Sequence, residues 1–319
     1  MMKNKPIEYI FDSSFEEFQE AVASEISFKG AVSLAPQLLG GWSSLNFLGY
    51  EDGIPKFVVK MPSILYRYDY GKISSIHDTL SEFEICPAIL GRGEIGIEKR
   101  IPFLVLEYIE GKVCTHPKEI NKRRFSQLSQ TLETLGQIDI PSLYRHDGSI
   151  QYFKYLTKPL IQKTNDWKKE PQTRFVMFLE KFLSNLSRVK DSIRNIQWDS
   201  ATIHGDLSEG NIVFQSNKAV LLDLEECCVA EKFYDIVYLA AQSFDSEGSR
   251  LYFFERKKIS KDHWQELEIM ALTSVISWSF RWLTEWYLGR IEPNIAARVD
   301  TGNVLDYIEK KMTRLFAYL

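Results

Sequence analysis

Cysteine is scarce in this chain. The 319 residues hold four, Cys86, Cys114 and the adjacent Cys227 and Cys228, and no two stand at the spacing that lets a pair of thiolates grip one zinc ion. A structural zinc site is therefore not expected. No apolar run approaches the roughly 20 residues that cross a bilayer, and residues 1–10 mix lysines with isolated apolar side chains, so neither a membrane span nor a signal peptide is expected. A reducing cytoplasm is the expected location. Basic charge is also short: 39 Lys and Arg against 43 Asp and Glu give a net charge of -4. Without a basic stripe, nucleic acid is not expected as a partner. The run Lys122, Arg123, Arg124 reads as the solvated start of a helix. There is no internal repeat and no low-complexity linker.

What is present is ordinary globular material, with 45% hydrophobic and 26% charged residues. Its length exceeds what one core comfortably serves, which predicts two lobes sharing a cleft. Residues 31–108 are strand-like, with short apolar runs at 33–39, 45–50, 56–61 and 103–108. A helical stretch at 74–90 interrupts them, ended or bent by Pro87. Beyond Gly111 long helical windows take over at 125–138, 174–196 and 264–288. Within them 201–224 reads as a loop, a strand at 212–214, a turn and a strand at 219–224. The expected fold is α+β, with a small antiparallel-sheet lobe over 1–107 and a larger, mainly helical lobe over 108–319.

Chemistry concentrates in Ile203-His204-Gly205-Asp206-Leu207-Ser208-Glu209-Gly210-Asn211-Ile212 and, a dozen residues on, Leu221-Leu222-Asp223-Leu224-Glu225. Phosphoryl transfer from ATP needs a carboxylate to orient and deprotonate an alcohol, and oxygen ligands to hold magnesium against the phosphates. Asp206, in a glycine-flanked loop, suits the first task. The carbonyl oxygen of Asn211 and the carboxylate of Asp223 suit the second. Upstream, Lys60 follows Phe57-Val58-Val59 on a strand and is placed to meet the α- and β-phosphates of ATP. Its carboxylate partner is expected on the next helix, where Glu82 and Glu84 face different ways. Only one of the two can pair with it.

These segments resemble the catalytic and metal-binding loops of the aminoglycoside phosphotransferase and choline kinase superfamily, relatives of protein kinases with a two-lobed fold. The resemblance spans about residues 38–240. It implies ATP and Mg2+, with Asp206 as base, Asn211 and Asp223 as magnesium ligands, His204 as a support of the catalytic loop and Asp235 as its brace, and it favours Glu82, shortly before the apolar cluster Ile85 to Leu90, as the partner of Lys60. It also implies a phosphate-covering loop at Leu39-Gly40-Gly41-Trp42-Ser43-Ser44, similar to the Gly-Gly-x-Ser-Asn stretch of choline kinases, in which Gly41, Ser43 and Ser44 would meet phosphates. Ser44 stands where that family usually has asparagine. Phe103 to Gly111 matches the family's hinge, where the Glu107 carbonyl and the Ile109 amide would hold adenine.

For the acceptor, Trp278, Trp282 and Trp286 recur at spacings of four near Glu285, an arrangement suited to an organic cation, although tryptophans at helical spacing also fill cores. Glu209, Glu225, Glu226 and Asp245 add negative charge. A small cationic alcohol is the expected acceptor: an aminoglycoside, or a choline-, ethanolamine- or thiamine-like compound. Thiamine kinases are similar over 235–241. Two other classes remain open, a nucleotide-binding module without turnover and a protein kinase. The second is disfavoured because Asp223 is followed by Leu224 and Glu225 and no Ala-Pro-Glu segment follows.

Overall fold

The computed structural model describes residues 9–10, 13–39, 44–62, 69–96, 100–114, 119–163, 173–244, 247–291, 293–296 and 299–319. In chain order the elements are β1 (Tyr9–Ile10), β2 (Ser13–Ser14), α1 (Phe15–Ser24), β3 (Val32–Leu38), β4 (Ser44–Glu51), β5 (Ile54–Pro62), α2 (Tyr70–Ser81), β6 (Ile89–Ile95), β7 (Ile101–Glu107) and β8 (Lys112–Val113). Then come α3 (Lys122–Gln137), α4 (Ser149–Lys163), α5 (Thr173–Ser192), β9 (Ser200–Ile203), β10 (Ile212–Phe214), β11 (Ala219–Leu221), β12 (Cys228–Glu231), α6 (Tyr234–Ser243), α7 (Glu247–Lys257), α8 (Lys261–Tyr287), α9 (Pro293–Ala296) and α10 (Thr301–Phe316). The chain forms two compact units, one of Met1–Lys112, Val213–Glu225 and Arg290–Arg298, the other of Val113–Ile212, Glu226–Gly289 and Val299–Leu319.

The first unit is built on a five-stranded antiparallel sheet in the order β3-β4-β5-β7-β6. The two-residue period of a strand turns Phe57, Val59 and Met61 of β5 to one buried face. Phe47 of β4 and Phe103 of β7 join that core, and Phe18 of α1 packs edge-on against both, with ring centroids 5.4 and 5.8 Å apart. A capping box starts α1: the Ser14 hydroxyl accepts from the Glu17 amide at 3.2 Å, and the Ser14 amide donates to the Glu17 carboxylate at 2.7 Å.

The helix expected over 74–90 is shorter, and its tail is a strand. α2 ends at Ser81, and Ile89–Ile95 forms the edge strand β6. Glycines decide this. A Cβ at Gly93 would meet the Phe103 ring at 2.4 Å, and one at Gly91 would meet the Glu25 carbonyl at 2.5 Å, so only a bare backbone can lie there. The hairpin of β10 and β11 closes where the Gln215 amide donates to the Lys218 carbonyl at 2.9 Å. The Leu221 amide then reaches the Ile85 carbonyl at 2.8 Å, which ties β11 into the first unit.

The second unit is mainly helical, and α8 packs against α4, α5, α6 and α10. Burial on almost every side of α8, from Leu267 through Ile276 to Leu283, marks it as the central helix. α4 escapes the sequence reading because Pro159 lies inside it. β9 and β12 form an antiparallel ribbon that pairs Ile203 with Cys228 and so fixes where the following loop begins. Among the described residues no helix is long and apolar enough to cross a membrane.

Candidate active site

The loop after β9 belongs to the second unit, and α6 holds it. Asp235, in the first turn of α6, accepts from the backbone amides of His204 at 2.7 Å and Gly205 at 2.9 Å. Burial pushes the Asp235 carboxyl up, and the neighbouring His204 with these two amides opposes that rise. Gly205 has φ +84, and a Cβ there would strike the Glu226 carbonyl at 2.2 Å, so the loop needs glycine at this point. His204 is fully buried, and its Nδ1 accepts from the Asp206 amide at 3.2 Å. The proton of a neutral His204 therefore sits on Nε2.

Asp206 is half-buried. The Tyr238 hydroxyl, one helical turn beyond Asp235, donates to Asp206 Oδ1 at 2.7 Å. The same face of α6 thus clamps the loop backbone and aims the carboxylate. Burial first, and then the Asp206 charge, push the Tyr238 hydroxyl far above its usual range, so it stays a donor. A single helical turn over Glu209–Asn211 ends the loop. The Asn211 Nδ2 donates to the Asp206 carbonyl at 3.0 Å, which leaves the amide oxygen as the end available to a cation.

Asp206 lines a cavity of about 230 Å³ wholly within the second unit. α4 contributes Tyr152, Tyr155, Leu156 and Pro159, and α8 contributes Ser274, Trp278 and Arg281, which recur at spacings of four and three along one face. Glu226 and Tyr238 complete the wall with Gly205. The Tyr155 hydroxyl donates to Glu226 Oε2 at 2.7 Å, and the Tyr152 and Tyr155 rings stack with planes 10° apart.

In the first unit Lys60 lies on β5 and is 6% exposed. Its ammonium pairs with Asp223 Oδ1 at 2.5 Å and with Glu225. Burial alone would lower the Lys60 pKa; the two carboxylates outweigh it and raise it. Glu225, buried, is pushed well up by burial and the neighbouring Asp223 charge, against the pull of Lys60. Asp223 has φ +67, a left-handed backbone uncommon for a residue with a side chain and frequent where function imposes geometry. The Tyr70 hydroxyl is buried beside the same two carboxylates.

The expected partner of Lys60 is corrected by this geometry. Glu82 is the exposed C-cap of α2, Glu84 binds Lys218 at 2.5 Å, and Asp223 and Glu225 hold Lys60 instead. α2 ends before either glutamate can extend its inner face. Gly41 and Ser43 lie outside the described residues, as does Asp245. Ser44 opens β4, buried. Glu107 ends β7, and Ile109 follows it, half-buried.

Of the residues expected to meet the acceptor, Trp278 and Glu226 line the cavity. Trp282 is wholly buried and Glu285 nearly so in the packing of α8, Glu225 is taken by Lys60, and Glu209 accepts from the Ser243 hydroxyl. Tyr155, Tyr238 and Arg281 were missed. Tyr238 could have been found from its place three residues after Asp235; Arg281 gave no signal beyond helical spacing from Trp278.

A sequence model of the phosphotransferase enzyme family matches residues 35–268. No curated protein matches the chain in sequence. Among solved structures, a choline/ethanolamine kinase family protein from Mesorhizobium loti superposes with a TM-score of 0.65 at 12% identity, covering 95% of this chain and 94% of that one. Spectinomycin phosphotransferase in complex with ADP and spectinomycin gives 0.62 at 13% identity over 95% and 98% of the two chains. Choline kinase LicA from Streptococcus pneumoniae gives 0.62 at 15% identity over 95% and 99%. At these identities the likeness is one of fold, and the fold is the α+β, protein-kinase-like one expected from the sequence.

Proposed function

The chain belongs to the phosphotransferase enzyme family, and from that premise we propose that it transfers the γ-phosphate of ATP to a hydroxyl of a small acceptor carrying a cationic group. The observation that carries this reading is the Asp206 carboxylate, aimed by Tyr238 at 2.7 Å into a cavity and set on a loop that Asp235 clamps. A general base needs that placement before any adjustment of its acidity.

In this reading the acceptor hydroxyl gives its proton to Asp206 as its oxygen bonds to the γ-phosphorus. The bond from that phosphorus to the β,γ-bridging oxygen breaks, and ADP leaves. Lys60 serves the α- and β-phosphates. Asp223 and the Asn211 amide oxygen are hard oxygen donors of the kind magnesium takes, and the Asn211 hydrogen bond presents the correct end of its amide. Bound magnesium would neutralise charge on the β- and γ-phosphates. Glu226 and the rings of Tyr152, Tyr155 and Trp278 suit an acceptor ammonium through charge and ring quadrupole. All four cysteines are buried free thiols, which fits work in a reducing compartment.

The test is ADP release with ATP and Mg2+ across amino alcohols, thiamine, aminoglycosides and neutral sugars. Asp206→Ala is expected to cut turnover by orders of magnitude with ATP binding retained. Turnover that survives the substitution overturns the assignment of the base; ATP binding with no turnover on any acceptor favours a nucleotide-binding module.

A further inference from the structure

The cavity that holds Asp206 also holds a guanidinium, and a site for a simple cation has no use for one. Arg281 comes from α8, two turns beyond Ser274 and one beyond Trp278, on the face that lines the cavity. Its Nε is buried and has no hydrogen-bond partner, and no ion pair to Arg281 occurs among the described residues. Glu226, the other charged residue in the wall besides Asp206, is engaged by the Tyr155 hydroxyl instead. A buried N–H left without an acceptor is costly, and a planar guanidinium fork is best satisfied by a carboxylate or phosphate bound at two points.

We infer that Arg281 is the anion subsite of the acceptor, so that the molecule phosphorylated here carries an acidic group as well as its hydroxyl, with Glu226 taking an ammonium on the same molecule. The acceptor class is a zwitterionic hydroxy acid. This rests on the kinase reading for the role of Asp206, but not for the binding of the anion. The alternative source of the anion is the phosphoryl group in transfer, which the same residue could touch.

The experiment compares probe pairs that differ by a carboxylate arm: ethanolamine with serine, choline with carnitine, and glycerol with glycerate. Each is assayed for ADP release and, separately, for binding by calorimetry without ATP, in wild type, Arg281→Gln and Arg281→Lys. The expected result is a preference of about tenfold or more in kcat/KM for the carboxylated member, the scale of one hydrogen-bonded charge pair. Arg281→Gln should erase that preference through KM, and Arg281→Lys, which keeps charge without the fork, should retain part of it. A wild-type preference for the carboxylate-free members, or binding of no member, overturns the inference while leaving the kinase reading to the Asp206 test. A fall in kcat that is equal for both members of a pair also overturns it, and assigns Arg281 to the phosphoryl group. Selective binding of carboxylated members, lost in Arg281→Gln, without ADP release from any of them sustains the anion subsite and removes the kinase reading.

Discussion

Tyr238→Phe is the sharpest probe of how the candidate base is held. It deletes one oxygen and nothing else, and that oxygen donates at 2.7 Å to Asp206 Oδ1. A hydrogen bond to a charged partner contributes about 1.5–3 kcal/mol. At about 1.4 kcal/mol per decade, its loss corresponds to a rate fall of roughly 10- to 100-fold if all of it acts in the transition state. Asp206 is only half-buried and opens on the cavity, so water can replace the lost donor. The expected effect is therefore near the lower end, about tenfold in kcat. The KM for ATP should not move, because Tyr238 touches the carboxylate and no predicted nucleotide contact. Stability should change by no more than about 1 kcal/mol, since the phenyl ring keeps its packing and the exposed part of the carboxylate keeps its water. Steady-state kinetics with both substrates varied, alongside thermal unfolding, reads all three quantities. Wild-type kcat in a folded variant would refute the argument, as would equal losses traced to ATP binding.

Two further outcomes are expected. His77 is buried, its Nδ1 meets the Pro87 carbonyl at 3.0 Å, and burial above all lowers its pKa from 6.5 to about 4. The unfolded chain then binds the proton more readily between those values, so stability is complete above pH 6.5 and falls as pH drops toward 4, by on the order of 3 kcal/mol. Urea unfolding across that range should show the slope, and His77→Gln should flatten it. Trp282 and Trp278 should separate cleanly: Trp282→Ala empties a wholly buried site and costs about 3–5 kcal/mol in unfolding free energy, whereas Trp278→Ala, on the cavity wall, should leave most stability and raise the acceptor KM.

The catalytic loop was legible because its demands are local. A histidine whose ring and amide both serve the loop, a glycine at φ +84 and an asparagine one short turn from Asp206 leave fixed intervals in the sequence. The sheet was legible for a similar reason, through its two-residue alternation. Three features were not. β6 was hidden because its glycines answer to Phe103 on the next strand and to Glu25, which is remote in sequence. α4 was hidden because Pro159 argues locally against a helix that packing on α8 sustains. The partner of Lys60 was misassigned because its carboxylates come from a segment 163 residues away, which no local periodicity reports.

The acidic residues show how folding separates charges that lie close together in the sequence. In sequence Glu209, Glu225, Glu226 and Asp245 add negative charge that suits an amine-bearing acceptor, an amino alcohol or an aminoglycoside. In the structure Glu209 accepts from Ser243, Glu225 is neutralised beside Lys60, and only Glu226 reaches the cavity. Glu225 is the last residue of its segment in the first unit and Glu226 the first of the next segment in the second, so two adjacent carboxylates fall in different units. If Asp206 takes the hydroxyl proton as proposed, the fixed charges left in the cavity wall to position an acceptor are one carboxylate, Glu226, and one guanidinium, Arg281. A polycation would meet one attraction and one repulsion there. A molecule with one charge of each sign would meet two attractions, and its hydroxyl would be the group left to face the base.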